Sequence, residues 1–529
     1  KIGVLYTRPR AWSRGFCDYI IGEVERLSRL EDCDKRILAP WKHCQPFINR
    51  RKDVMEKSTQ TVCHSSTAQK QPTKAKRNAA LPKQLQQVNL HAAGIDVGAT
   101  SHFVAVPDGS SESTVREFKS FTSDLHALAN WLKECGVTTV AMESTGVYWI
   151  PVYELLEAQG FEVNLVDARQ VKNVPGRKSD VLDCQWIQQL HTYGLLNAAF
   201  RPAEAICTLR MYTRQRATLV QDSARQILHM QKALDQMNIQ VHHAVTDITG
   251  MTGMKIIRGI LSGIRDSKIL AQYRDPRCKQ SLSTIETALE GHYREEHLFS
   301  LQQAVELYDV YLQKIADCEQ AIQQTLTAFS ECAQPVKKEI IKKQPTKNAP
   351  QFPLAEELLR ISSVDLTAIP GINSVTALSL VGEIGLDMTK WKSGKQFASW
   401  LGLCPGTKIS GGKVLSSRTK ACANRAAAAL RMAASTLHRS STALGAYLRR
   451  LKIRLGPMKA ITATAHKLAL IVYNMLRHGL EYKEMGQEYY EAQYKNRLLH
   501  NLKRKAEKLG YALVENTVVT QTVEAVVSV

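Results

Sequence analysis

The chain has 529 residues, room for two to four domains at roughly 100–200 residues each. Apolar residues make up 44%, which excludes a mostly disordered chain, and no apolar run nears the ~18 residues that span a bilayer, which excludes an integral membrane protein. Lys and Arg number 70 against 49 Asp and Glu, a formal net charge of +21, and that balance favours a polyanionic partner, most often nucleic acid.

The first 90 residues hold 18 Lys/Arg and 8 Asp/Glu. Ser58–Gln87 is rich in Ser, Thr, Gln, Lys and Pro, so residues 1–90 read as a basic, poorly ordered extension. The first methionine is Met55, and the functional protein is expected to start near it. No stretch has the charged start, apolar middle and small-residue cleavage site of a secretory signal.

From Gly94 to Pro107, GIDVGATSHFVAVP predicts strand, tight glycine turn, strand. Leu125–Cys135 has helical periodicity, with Gly136 as a stop. Thr138–Met142 predicts a short buried strand, Val147–Gln159 a helix closed by Gly160, and Phe161–Val166 a further strand. Strands alternating with helices give an α/β domain over 91–200 with a partly parallel sheet. Residues 201–335 predict long helices forming a coiled-coil arm. One apolar stripe is Leu219, Ile227, Leu228 and Leu234; another is Leu301, Val305, Tyr308, Leu312 and Ile315. A basic, Pro-containing linker over 336–360 leads to a mostly helical unit over 361–482. There AIPGINSVTALSLVGEIG has the turn and glycines of a helix-hairpin-helix, which offers backbone N–H groups to a phosphate. A charged tail follows from 483 to 529.

The twelve cysteines show no CxxC pair and no zinc spacing, so reduced thiols in a cytoplasmic protein are expected. Charge is uneven. Trp391–Leu480 holds sixteen Lys/Arg and no acid, bracketed by Asp387 and Glu481. A solvated helical face mixes signs, so this stretch reads as a surface kept positive for phosphates.

Four acids stand out. Asp96 lies near the end of one apolar strand and Glu143 follows another, and strand ends of an open α/β sheet are where ligands bind. Asp180 and Asp183 share a face if SDVLDCQWIQQL is helical. Four carboxylates from three elements suit two divalent cations, Mg²⁺ or Mn²⁺, in phosphodiester chemistry. The ordinary alternatives are a turn residue at Asp96 and a helix cap at Ser179–Asp180. Lys172, Arg177 and Lys178 precede Asp180 as candidate phosphate contacts, or as a plain basic loop. The alanine-rich stretch Asn424–Ala434 suits close helix packing better than contact with DNA.

The string from GIDVGATSHFVAV through AMESTGVYWIPVYELLEAQGFEVNLVDARQVKNVPGRKSDVLDCQWIQQL resembles the RuvC/RNase H-like domain of DEDD-type insertion-sequence transposases, the IS-one-ten family. LTAIPGINSVTALSLVGEIG, FASWLGLCPGTKISGGKVLSSRTKACANRAAAALRMAA and RLGPMKAITATAHKLALIVYNMLRHG resemble that family's C-terminal transposase domain. The likeness runs from about Ala92 to Tyr482. It implies Asp96, Glu143, Asp180 and Asp183 as the DEDD acids and metal ligands, and a serine nucleophile best matched by Ser410 in KISGGK, with Ser416 and Ser417 as neighbours. Within the acid-free stretch, Lys408, Lys413, Arg418, Lys420 and Arg425 are the candidate contacts to nucleic acid. The likeness further implies a covalent phosphoserine link to DNA, a structured bridge RNA as partner, a composite site in a homodimer or tetramer, and action at the bacterial nucleoid.

The expected function is therefore a DNA transposase/recombinase. The alternatives are a site-specific DNA invertase or Holliday-junction resolvase of the same fold, and a non-catalytic nucleic-acid-binding protein with structural acids.

Overall fold

The strand β1 (Ala92–Val97), AAGIDV, is buried along nearly its whole length, as suits a central strand covered on both faces. It pairs antiparallel with β2 (Ser101–Ala105), and β2 pairs antiparallel with β3 (Val115–Lys119). After α1 (Thr122–Glu134) the chain runs as β4 (Thr139–Glu143), parallel to β1. After α2 (Trp149–Ala158) it runs as β5 (Glu162–Val166), parallel to β4. The sheet order is β3-β2-β1-β4-β5. The short α3 (Ala168–Val171) and then α4 (Asp180–Thr192) follow, and α4 packs on β1, β2 and β4. This is the mixed, partly parallel α/β domain expected. The computed structural model describes residues 86–171, 179–329 and 348–514. The expected start near Met55, Lys172, Arg177, Lys178, residues 336–347 of the basic linker and residues 515–529 of the tail lie outside them.

β3 was not anticipated. VREFK is an edge strand with mostly exposed side chains, so it carries no apolar signal. Phe118 packs its ring 5.6 Å from that of Trp131, and the Arg116 guanidinium lies 4.9 Å from the same ring.

The arm begins with α5 (Glu204–Gln236). Four short helices turn the chain: α6 (Val241–Ala244), α7 (Met251–Leu261), α8 (Ser267–Ala271) and α9 (Leu282–Ala288). The return helix is α10 (Glu295–Ala328). Leu209, early in α5, shares a core with Ile322 and Leu326, late in α10. Met230 and Leu234 share another with Leu298 and Leu301. The two long helices are therefore antiparallel. The seam of α5 recurs every seven residues at Leu209, Arg216, Ser223 and Met230, so its middle is polar. This is why the aliphatic stripes misplace two residues. Leu228 and Leu312 are exposed, while Arg216 and Glu319 are buried.

Past the linker come α11 (Leu354–Ser362), a 3₁₀ turn at Leu366–Ala368, α12 (Ser374–Ile384) and α13 (Gly394–Trp400). A small hairpin, β6 (Lys408–Ser410) and β7 (Lys413–Ser416), precedes α14 (Arg425–Thr436), α15 (Ala443–Leu455), α16 (Pro457–His478) and α17 (Gly486–Lys508). Asn373 caps α12 by accepting from the Thr376 N–H at 2.8 Å. Gly371, at φ +85°, lets the Pro-Gly turn rest on α14, since an added Cβ would stand 2.6 Å from the Ala433 carbonyl oxygen. Ala426, Ala427, Ala433 and Ala434 are buried there, the helix-packing use expected of the alanine-rich stretch. The base of the arm and helices α11–α16 share one core around Phe397, Val381 and Leu468. α17 buries no residue. Its start is held by Arg450, which donates to the Tyr490 hydroxyl at 2.7 Å and stacks 4.2 Å from the Tyr494 ring. No helix among the described residues is long and apolar enough to cross a membrane.

Candidate active site

Two features carry the sequence-derived site residues: the carboxylates around the end of β1, and the β6–β7 hairpin.

β1 and β4 are parallel neighbours with Ile95 opposite Met142, so the next residues along, Asp96 and Glu143, sit side by side at the strand ends. Glu143 accepts a hydrogen bond from the Thr145 hydroxyl at 3.1 Å. The other two acids arrive on α4, and a glycine places them. A Cβ on Gly94 would overlap the Cys184 carbonyl oxygen and the Gln188 backbone nitrogen, so α4 lies directly on β1. The Gln188 side chain donates to the Ala92 carbonyl at 3.2 Å. With Gln188 over Ala92 and Cys184 over Gly94, the first turn of α4, which carries Asp180 and Asp183, points toward Asp96.

The electrostatics follow from that placement. The Asp96 carboxyl is pushed up to about 6, first by burial and then by the negative charges of Asp180, Asp183 and Glu143. The Cys184 thiol is pushed up to about 12, chiefly by burial and then by Asp96. Among the described residues no Lys or Arg forms an ion pair with any of the four acids. Nor do three carboxylates, imidazoles or thiols converge closely enough there to hold one ion. The four acids thus share a neighbourhood without closing on a single point. Their chemistry still fits a hard divalent cation. They are crowded oxygen donors that no described Lys or Arg neutralises, and Asp96 among them is partly desolvated.

In the hairpin, Ser410 pairs directly with Lys413 and Ile409 with Val414, across the two-residue turn Gly411–Gly412. Both glycines have positive φ, +54° and +74°, as a tight hairpin turn requires. Opposed residues share a face of a β-ladder, so Ser410 and Lys413 lie on one face and Ile409 and Val414 on the other. Ser410 is exposed, and its hydroxyl makes no hydrogen bond among the described residues. Ser416 differs. It is half-buried, and its hydroxyl accepts the Arg418 N–H at 3.3 Å. Ser417 is exposed. Lys408, Lys413, Arg418, Lys420 and Arg425 are all exposed, and none forms an ion pair among the described residues. Gly406 donates to the Arg418 carbonyl at 2.8 Å and Pro405 bridges Thr419, which together pin the hairpin's base.

The Gly94 contact escaped the sequence reading. Its only signal was a small residue within a buried apolar strand. The pairing of Ser410 with Lys413 was likewise visible only as two residues flanking two glycines.

Two family descriptions match the chain. Residues 93–239 match a transposase family of DEDD type, and residues 365–449 match the Transposase IS116/IS110/IS902 family. No curated protein matches the sequence significantly. The first match covers the acid-bearing sheet and α4, the second the hairpin and its cations, in the order that the resemblance implied. The chain belongs to the IS110 family of insertion-sequence transposases, with a DEDD-type N-terminal domain.

Proposed function

We propose that this transposase cuts and rejoins DNA through a covalent phosphoserine formed at Ser410, assisted by divalent cations at Asp96, Glu143, Asp180 and Asp183. The observation that carries the reading is the hairpin itself. It presents a serine hydroxyl that makes no hydrogen bond among the described residues, with a lysine directly opposite on the same face, inside a ninety-residue stretch without an acid.

Ser410 Oγ attacks the phosphorus, the Oγ–P bond forms and the P–O3′ bond breaks. The 3′ oxygen leaves with the bonding electrons and ends as a hydroxyl carrying the seryl proton. A 3′-hydroxyl from another strand then attacks the phosphoserine, and the serine is regenerated. Lys413 supports the charge on the phosphoryl oxygens. Asp96, Glu143, Asp180 and Asp183 are the residues that would hold Mg²⁺ or Mn²⁺. Such an ion, when bound, lowers the pKa of a coordinated oxygen and stabilises a leaving one. Lys408, Arg418, Lys420 and Arg425 bind flanking phosphates. A homodimer or tetramer and a structured bridge RNA complete the proposal; the acid-free surface is compatible with either nucleic acid.

The test uses purified protein, the element's termini, its flanking transcript and Mg²⁺. A protein–DNA adduct that survives denaturation is expected from wild type and from Ser416→Ala, and is absent in Ser410→Ala and Asp96→Ala. DNA cut without an adduct, with Ser410→Ala still cutting, would replace this reading by simple metal-assisted hydrolysis.

A further inference from the structure

The face of the β6–β7 hairpin opposite Ser410 has no partner among the described residues. On that face Ile409 is 63% exposed and Val414 61%, and the adjoining Leu415 is 69% exposed. Lys408 pairs with Ser416 while Ile409 pairs with Val414, so Leu415 is the extra residue of a bulge and adds a third aliphatic side chain to an already apolar strand. None of the hairpin's residues is buried. A two-stranded ribbon is marginal by itself, and this one stands out from the core with its greasy side uncovered. Its tip is bare backbone, because nothing lies within 4 Å of where a Cβ would stand on Gly411 or Gly412.

The surroundings decide what covers it. The charged residues of the segment, Lys408, Lys413, Arg418 and Lys420, are all cations, and the nearest acids in sequence are Asp387 and Glu481. Three aliphatic side chains offer far less than the ~800 Å² that each partner gives to a stable protein interface. A slim ribbon carrying aliphatic side chains beside cations matches the proteins that push an apolar wedge between base pairs while gripping the phosphates outside.

We propose that the hairpin is a DNA wedge. Ile409 and Val414, with Leu415 at the bulge, enter the base stack next to the phosphate presented to Ser410 and Lys413, while Lys408 and Arg418 hold neighbouring phosphates. Unstacking one step has a cost that the wedge's apolar contacts with the bases offset. It frees the sugar–phosphate backbone to turn toward the opposite face of the ribbon, where the serine lies. The proposal deepens the serine reading and rests on it for which phosphate is meant.

The first measurement is permanganate reactivity of thymines in duplexes spanning the element's termini, with its transcript present, using Ser410→Ala protein so that no strand is cut. Hyperreactive thymines at one step are expected. They should fall at least fivefold when Ile409→Ser and Val414→Ser are added, and persist with Ile409→Val. In protein that keeps Ser410, the double serine variant should form adduct more than tenfold more slowly on fully paired duplex. A duplex with two mismatched pairs at that step should bring it back to within threefold of wild type. Unchanged reactivity in the double variant, or no rescue by the mismatch, overturns the wedge. So does a smaller sedimenting species for the double variant, since a second copy of the chain would then be what covers the face. A lowered melting temperature overturns it too, by showing that the side chains pack within the fold. If hyperreactivity obeys the expectation but no variant forms an adduct, the serine reading fails and the wedge stands.

Discussion

Gly94 on β1 lies against the backbone of Cys184 on α4 with no space for a Cβ between them. That contact sets the height of α4 on the sheet, and α4 carries two of the four acids. Gly94→Ala is therefore expected to shift α4, lower stability by about 1–3 kcal/mol as overpacking does, and cut adduct formation more than tenfold. Denaturant melts and adduct assays check it. Normal activity in a folded Gly94→Ala protein would separate the helix position from the chemistry.

Asp96 is held in the folded protein against burial and three like charges. Asp96→Asn should remove that repulsion, raising the melting temperature at neutral pH while abolishing strand transfer. The sign with pH follows from the upward shift. The folded protein binds this proton more tightly than the unfolded chain does, so wild type loses stability relative to Asp96→Asn as pH rises from about 4 to about 6. The gap then stays constant. Melts at several pH values in chelator measure it. Adding Mg²⁺ should raise the wild-type melting temperature more than that of the variant.

Arg216 and Glu319 meet in the buried middle of the arm, with Arg216 donating to Glu319 Oε1 at 2.9 and 2.7 Å. The same pair anchors the end of the linker. Arg216 also donates to the Asn348 carbonyl at 2.7 Å, and Glu319 accepts from the Gln351 N–H at 3.1 Å. Removing one partner leaves a buried charge alone, so Glu319→Ala should cost about 3–5 kcal/mol. The double variant Arg216→Met with Glu319→Leu should recover most of that loss. A double-mutant cycle by denaturant unfolding reads the difference.

Phe200 and Arg201 are consecutive but serve different halves of the chain. Phe200 lies 4.8 Å from Trp391 and 5.1 Å from Trp400. Arg201 stacks 4.2 Å from the Tyr153 ring and pairs with Glu154 at 3.0 Å. Arg201→Ala should weaken the hold on α2 by about 1–2 kcal/mol. Calorimetry should then show the α/β half melting ahead of the helical half. Arg201→Lys keeps the ion pair but not the flat stacking, and should fall between.

Much of the fold was legible because its signals are local. The runs around Ile95 and Val140 are apolar and bounded by turns, so β1 and β4 could be read directly. VREFK could not, because an edge strand half in water needs no apolar pattern. The arm's heptads were visible, but Leu228 and Leu312 were misplaced because the seam is closed at its centre by an ion pair instead of aliphatic residues.

By itself the sequence determined the element types, the acids at strand ends, the acid-free stretch and the family. These depend on composition and on patterns within a dozen residues. Only the tertiary structure decided that α4 lies on β1 through Gly94, and that the crowding there raises Asp96. It also decided that Ser410 faces the same side as Lys413 while Ile409 and Val414 face the other. Burial, Coulomb repulsion and pleat direction depend on distances between residues far apart in the chain or on exact pairing register, and no local pattern encodes either.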